Sequence, residues 1–275
     1  MSGQVTVVVP TRDRPRLLAR CLSALTGAGT DGLEIVVVDD GSARAAEVAA
    51  NAAAARAQLV RLDGRGPAAA RNAGARAARG DVVLFVDDDC IPAARWASAL
   101  AAAVLRTPGV VVGGAVEVSA DVGVWLRASE ELARAAESGS GLLRTNNLGC
   151  CRSLLLDVPF DETFPTAAGE DRDWCVRAAR AGATFAREPA AVVEHRADLG
   201  ARAFFGQQLR YGRAVHLLRS RGTHVPVALG ALRRGFAAGF REGTPVGLAM
   251  VAASVATLAG YVLENRSALT GEGRR

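Results

Sequence analysis

Residues 82–89 read Val-Val-Leu-Phe-Val-Asp-Asp-Asp. Five consecutive apolar residues, three of them valine, suit a short strand covered on both faces, the usual situation in a parallel sheet. Three adjacent carboxylates at the end of such a strand repel one another. They cost stability unless a cation or hydrogen-bond donors neutralise them. A hard divalent ion such as Mg²⁺ or Mn²⁺ takes oxygen ligands of this kind and bridges phosphates. A solvated acidic turn is the other use of a triple aspartate, and the buried run in front of it argues against that use.

The same arrangement occurs twice upstream. Val5 to Val9 is followed by Pro10-Thr11-Arg12-Asp13, and Glu34 to Val38 by Asp39-Asp40-Gly41-Ser42. Alanine-rich helical stretches separate these runs: from Pro15 to about Leu25, Ala45 to Ala57, and Pro67 to Ala78, with a shorter strand at Gln58 to Leu62. Strands alternating with helices predict βαβ units and a mostly parallel sheet flanked by helices. Open α/β sheets bind ligands beyond the carboxyl ends of their strands, so the three polar clusters define one candidate crevice. A carboxylate at Asp39 or Asp40 could accept from a base or a ribose hydroxyl; an Asp-Gly turn with a serine helix cap is the structural alternative, and both can hold. Gly64-x-Gly66-x-x-Ala69 imitates a dinucleotide fingerprint, but it follows the third strand, and Pro67 removes an N–H that a phosphate would need.

Taken together, Val-Val-Val-Pro-Thr-Arg-Asp-Arg-Pro from Val7, Val-Val-Asp-Asp-Gly-Ser from Val37, Gly66-Pro67 through Ala70-Arg71-Asn72-Ala73-Gly74, and Phe-Val-Asp-Asp-Asp from Phe85 resemble the donor half of family 2 glycosyltransferases, in order and at similar spacing. Gly169-Glu170-Asp171-x-Asp173, followed by Arg177 and Ala181-Gly182, resembles the acceptor-side motif of that family. The resemblance covers about residues 4–196 and implies a GT-A fold, Rossmann-like, with an inverting, metal-assisted transfer from a nucleotide-diphosphate sugar to an acceptor glycan, lipid or small molecule. It implies roles residue by residue. Pro10, Thr11, Asp13, Asp39, Asp40, Arg71, Asp87 and Asp88 would bind the donor, and Asp89, with Asp87 and His195, the metal. Asp171 would be the base that takes the acceptor proton, with Glu170 and Asp173 beside it. Acids in a first helical turn also simply balance the helix dipole, and the two uses are compatible. Arg12 and Asp13 stand where the family commonly has an aromatic residue and an asparagine. Cell-envelope glycan, glycolipid or natural-product glycosylation by a bacterial hexosyltransferase-type enzyme is the expected setting.

The remaining sequence bounds these expectations. The chain has 275 residues, carries a net charge of +5 and has five cysteines, without a C-x-x-C pair. A phosphate-bearing partner suits that charge, while the lack of basic runs interleaved with aromatics argues against nucleic acid. Thiol usage and a start that enters a strand directly predict a cytoplasmic protein. Val110 to Val118 and Val192 to Glu194 are predicted strands and Leu148 to Cys151 an apolar run. Val122 to Glu137 and Asp171 to Ala181 are predicted helices, and Ser138 to Gly141 a flexible loop. From about residue 201 the chain turns to arginine-bearing helices, Phe204 to Ser220 and Val227 to Phe240. Gly243 to Leu263 then follows with no charge. Residues 1–200 are therefore expected to form the catalytic domain and 201–275 a helical tail. Arg233, Arg234 and Arg241 before the uncharged segment suggest peripheral contact of 225–265 with the inner face of the plasma membrane. Two rival readings are a nucleotidyltransferase, whose Gly-rich first loop and lysine are missing at Pro10 to Asp13, and a non-catalytic membrane-surface adaptor.

Overall fold

The computed structural model describes residues 4–27, 32–119, 121–141, 143–164, 168–223, 240 and 243–270. They group into two compact units, one of 1–119 with 142–197 and a second of 120–141 with 198–275. The helix counted with the catalytic domain on the sequence thus groups with the tail.

The first unit is built on β1 (Val5–Thr11), β2 (Glu34–Asp40), β3 (Gln58–Leu62), β4 (Val82–Val86), β5 (Cys90–Pro92), β6 (Val110–Glu117), β7 (Asn147–Cys151) and β8 (Thr184–His195). They form one mixed sheet in the order β3-β2-β1-β4-β7-β6-β8-β5. The three strands that carry the motifs, and β3 beside them, are parallel, whereas β7 is antiparallel to both β4 and β6. Helices α1 (Pro15–Gly27), α2 (Ala45–Ala54), α3 (Pro67–Ala77), α4 (Trp96–Arg106), α6 (Arg152–Asp157) and α7 (Glu170–Arg180) belong to this unit, and α5 (Val124–Ser140) to the second.

Period-2 alternation divides the core between the two faces of the sheet. Val7, Val9, Val37 and Leu84 pack with Leu18, Leu22, Trp96 and Leu100 of α1 and α4. Val8, Val36 and Phe85 pack with Ala70 and Ala73 of α3 and with Trp174 of α7. The small residues of α3 let it approach the sheet closely: a Cβ on Gly74 would lie 2.2 Å from Val8 Cγ1. Alternate strand carboxyl ends therefore emerge between thin helices, and the ends of β2, β1 and β4 stand side by side.

In the second unit, α8 (Ala201–Ser220) and α9 (Thr244–Thr270) join α5. Phe204, Val246, Ala249, Met250 and Ala253 bury Ala128, with Trp125 packed against them. Residues 138–140, expected as a loop, continue α5; Gly141 ends it at φ 66°, its N–H bonded to Glu137 O. A left-handed glycine after the last turn is a standard helix stop. The predicted helix at Val227 to Phe240 and the arginines 233, 234 and 241 lie outside the described residues, apart from Phe240 itself.

Candidate active site

The triple aspartate leaves β4 with its three carboxylates in different surroundings. Asp88 is fully buried, Asp89 nearly so, and Asp87 is partly open. Arg14, a few residues past the end of β1 and just ahead of the α1 start, closes over the pair. Its Nη1 donates to Asp89 Oδ2 at 2.6 Å, and its Nη2 lies 2.7 Å from Asp88 Oδ1. Thr11 Oγ1 donates to the other Asp88 oxygen at 2.6 Å. The neutralising charge that the sequence demanded thus includes a guanidinium from the neighbouring strand. Burial would lower the Arg14 pKa, but the carboxylates of Asp89, Asp88 and Asp87 outweigh it and raise it. Burial and the repulsion of Asp89 push Asp88 upward against the pull of Arg14. Asp89 goes the other way: burial opposes its charge, and His195 and Arg14 more than offset that.

His195 ends β8 and pairs in register with Cys90 of β5, which brings its Nε2 to 3.6 Å from Asp89 Oδ1. The β5–β8 pairing is also tied by Arg196 N–H to Asp89 O. Two residues 106 positions apart in sequence therefore share one face of the site. A carboxylate oxygen facing an imidazole nitrogen is a donor pair that fits a divalent first-row ion. Among the described residues no group of three or more His, Cys, Asp and Glu is gathered as a metal site. Asp89 and His195 would thus hold an ion only with further ligands from substrate or water.

Arg71 joins the triple aspartate to the start of α7. Buried on α3, it donates to Asp87 Oδ1 at 3.2 Å and to Glu170 Oε1 at 2.9 Å, and its guanidinium lies over the Phe160 ring at 5.9 Å. Phe160 in turn stacks on Trp174 and meets Phe85 edge-on. The Asn72 side-chain amide fixes the Phe160 backbone, its Nδ2 donating to Phe160 O and its Oδ1 accepting from Phe160 N–H. Glu170 is pushed up to about 7 by burial and by neighbouring Asp171, with Arg71 pulling it back. Asp171 is half-buried at the same helix start, its Oδ1 accepting from Arg172 N–H.

Other predicted residues are turned to local tasks. Asp39 accepts from Ser42 N–H and faces Arg61, holding the Asp-Asp-Gly-Ser turn. Both oxygens of Asp40 have backbone partners, Arg65 N–H and Gly66 N–H. Those bonds occupy the N–H groups of the fingerprint look-alike. Asp13, at φ 56°, accepts from Ala43 N–H while its own N–H donates to Ser42 Oγ. Pro10 is half-buried on the last part of β1. Asp173 is held by Arg177 at 2.7 Å one turn along α7. Arg14, Asn72 and Glu162, which accepts from Asn72 and pairs with Arg65, carried no assignment on the sequence. The signal for Arg14 was present: three acids needed a cation, and the loop after the adjacent strand supplies one.

The model of glycosyl transferase family 2 matches residues 6–160. The chain belongs to this family. At 32% identity over 228 residues it is similar to the pre-mycofactocin glycosyltransferase of Mycobacterium tuberculosis, covering 76% of this chain and 46% of that protein. An N-acetylglucosaminyltransferase of Bradyrhizobium diazoefficiens is 29% identical over 245 residues, 78% of this chain and 50% of its own length. The chain thus spans about half the length of these curated relatives. Among solved structures, the mannosyltransferase PcManGT of Pyrobaculum calidifontis, in complex with GDP-Man and Mn²⁺, superposes with a TM-score of 0.61 at 22% identity, over 100% of this chain and 77% of its own. Glucosyl-3-phosphoglycerate synthase of Mycobacterium tuberculosis, with Mn²⁺, UDP and glucosyl-3-phosphoglycerate, gives a TM-score of 0.57 at 21% identity, with 80% of each chain covered. The family's GT-A fold is therefore the fold of this chain.

Proposed function

We propose that the protein is an inverting glycosyltransferase that moves a sugar from a nucleotide-diphosphate donor to an acceptor hydroxyl with the help of Mg²⁺ or Mn²⁺. One observation carries this reading: Arg71 bridges Asp87 at the donor side and Glu170 at the acceptor side, so that the base candidate Asp171 starts a helix anchored to the triple aspartate. The family match, and the nucleotides and Mn²⁺ that accompany the superposed transferases, support the substrate class.

In this reading Thr11 and Asp88 line the nucleotide, and Asp39 and Asp40 stiffen the turn against which the base rests. Asp89 and His195 are the residues that would hold the ion, with substrate or water completing its shell and Asp87, engaged by Arg71, able to join only by leaving that partner. When bound, the ion supplies Lewis-acid assistance to departure of the nucleoside diphosphate. Asp171 accepts the proton of the acceptor hydroxyl as that oxygen attacks the anomeric carbon from the face opposite the leaving group, which inverts the centre. The half-burial of Asp171, shared with an anchored helix start, suits a base that must be held in place yet reached by substrate. We assign residues 1–200 to catalysis, a bacterial cell-envelope or natural-product acceptor as substrate class, and the cytoplasmic face of the membrane as location, with the tail as a peripheral contact.

The test is Asp171→Asn, assayed with a panel of sugar nucleotides and Mn²⁺. Donor affinity should stay within about twofold, and transfer should fall by at least about 10²-fold, the usual contribution of a general base. Near-normal turnover would remove Asp171 from the mechanism.

A further inference from the structure

We infer that α8 carries a phosphate-binding site of its own, in which Arg202 and Arg210 hold a phosphomonoester or diphosphate group over Gly206. The inference goes beyond the transfer chemistry proposed above and does not depend on it. Its residues all lie on or beside one helix of the second unit, where Gly200, Arg202, Ala203, Gly206 and Arg210 line a cavity of about 500 Å³. A volume of that size is ordinary for a small-molecule site.

The first observation is charge without compensation. Helix α8 contains no aspartate or glutamate. Of its arginines, Arg213 pairs with Glu264, and Arg219 lies over the Tyr261 ring. Arg202 and Arg210 make neither a hydrogen bond nor an ion pair among the described residues. Arg202 stands, moreover, in the first helical turn, where the helix dipole disfavours a cation. Neither guanidinium is there to stabilise the helix.

The second observation is a glycine that packing does not require. Glycine inside a helix is less favourable than alanine. At Gly212 the reason is a close approach, since a Cβ there would lie 1.9 Å from Thr257 O. At Gly206 a Cβ would meet only Arg210 Nη1, at 3.6 Å, and the backbone is not in the left-handed region that calls for glycine. What the missing side chain leaves is room beside a guanidinium.

The third is convergence. Residues 202, 206 and 210 follow one another at the four-residue spacing that shares a helix face. Long helical side chains lean toward the N-terminus, and Arg210 does so, reaching back to Gly206. That position is about 6 Å along the axis from Arg202, so the two cations can meet on one ligand. Guanidinium forks hold phosphoryl oxygens bidentately, and the two negative charges of a phosphomonoester or diphosphate offset both arginines, where a single carboxylate offsets one.

Calorimetry of the full chain with inorganic pyrophosphate, in EDTA so that no divalent ion enters the aspartate crevice, should show saturable binding. Arg202→Gln combined with Arg210→Gln should weaken it by at least about tenfold, with an unchanged melting temperature because neither side chain has a partner to lose. Arg213→Gln, which removes the same charge from the next turn, should alter it by less than about twofold; an equal loss would reduce the signal to a diffuse basic surface and overturn the site. Gly206→Leu should fill the cavity and abolish binding while the melting temperature holds or rises, and binding that survives it would also overturn the site. Succinate at matched ionic strength should not compete; full competition would overturn the phosphate assignment. Flotation with phosphatidylcholine vesicles carrying phosphatidic acid tells the two sources apart. Retention that the double variant loses names a lipid head group, and pyrophosphate binding without retention names a soluble phosphate ester. Binding in neither arm would overturn the proposal.

Discussion

At the scale of single residues, the site is governed by how a buried acidic cluster is compensated. Arg14 holds Asp88 and Asp89 at once and is itself about half exposed. Replacing it with glutamine keeps a polar group but removes the charge. Arg14→Gln should destabilise the metal-free protein by roughly 1–3 kcal/mol, discounted from the cost of breaking a fully buried pair because water reaches the guanidinium. Mn²⁺ should then raise the melting temperature of the variant more than that of the wild type, and equal shifts would dismiss Arg14 as the resident counter-charge. Glu170 makes a second prediction. Its folded pKa is raised to about 7, so the folded state keeps a proton that the unfolded chain gives up near its ordinary value. Stability therefore falls as pH rises between about 4.5 and about 7 and levels off above. Thermal melts across that window should fall for the wild type and stay flatter for Glu170→Gln. A variant with the same slope would place the titration elsewhere. Arg14 was visible in the quoted motif yet had no role on the sequence alone, because nothing in a linear text says which cation folds over which acids. Asp40 shows the converse. Its position was legible, but that both its oxygens meet Arg65 and Gly66 N–H groups depends on a loop 25 residues away.

At the scale of elements, the legible parts were those with strong local period. Strands β1, β2 and β4 are continuous apolar runs buried throughout or nearly so. Strand β8 was read only at Val192 to Glu194, since its first half, Thr184 to Ala190, is exposed or half-exposed and lacks a buried face to impose a pattern. Strand β5 and helix α4 went unread: three residues of strand carry no period, and the alanine-rich helix gives no contrast between faces. The motif glycine Gly74 illustrates what composition conceals, for its purpose is the approach of α3 to β1. A side chain there would collide with Val8. Gly74→Val should lower stability by about 1–3 kcal/mol by overpacking, seen as a drop in melting temperature of several degrees. Adding Val8→Ala should recover part of it, whereas no recovery would place the strain elsewhere in the helix.

For the whole molecule, the sequence places a boundary near residue 200, and in the structure α5 groups with the elements that follow it. Nothing in residues 120–141 announces this, because an amphipathic helix specifies that it needs a partner but not which one. The grouping has a practical outcome. A chain cut at 197 would leave Trp125 and Ala128 without Phe204 and Met250 over them. Such a truncation should bind a hydrophobic dye and aggregate on concentration, and replacing Trp125 by a polar residue should ease both. A clean monomer with no dye binding would mean that α5 finds cover elsewhere.

The insertion of α5 also sets a timetable for synthesis. Leu132 leaves the ribosome about 70 residues before Phe204 and well over 100 before Ala253, the residues that shield its neighbours. At roughly 5–20 residues per second, the apolar face of an amphipathic helix waits on the order of ten seconds for its cover. A chaperone that holds nascent chains should therefore engage this protein once α5 has emerged and let go only when α9 has followed.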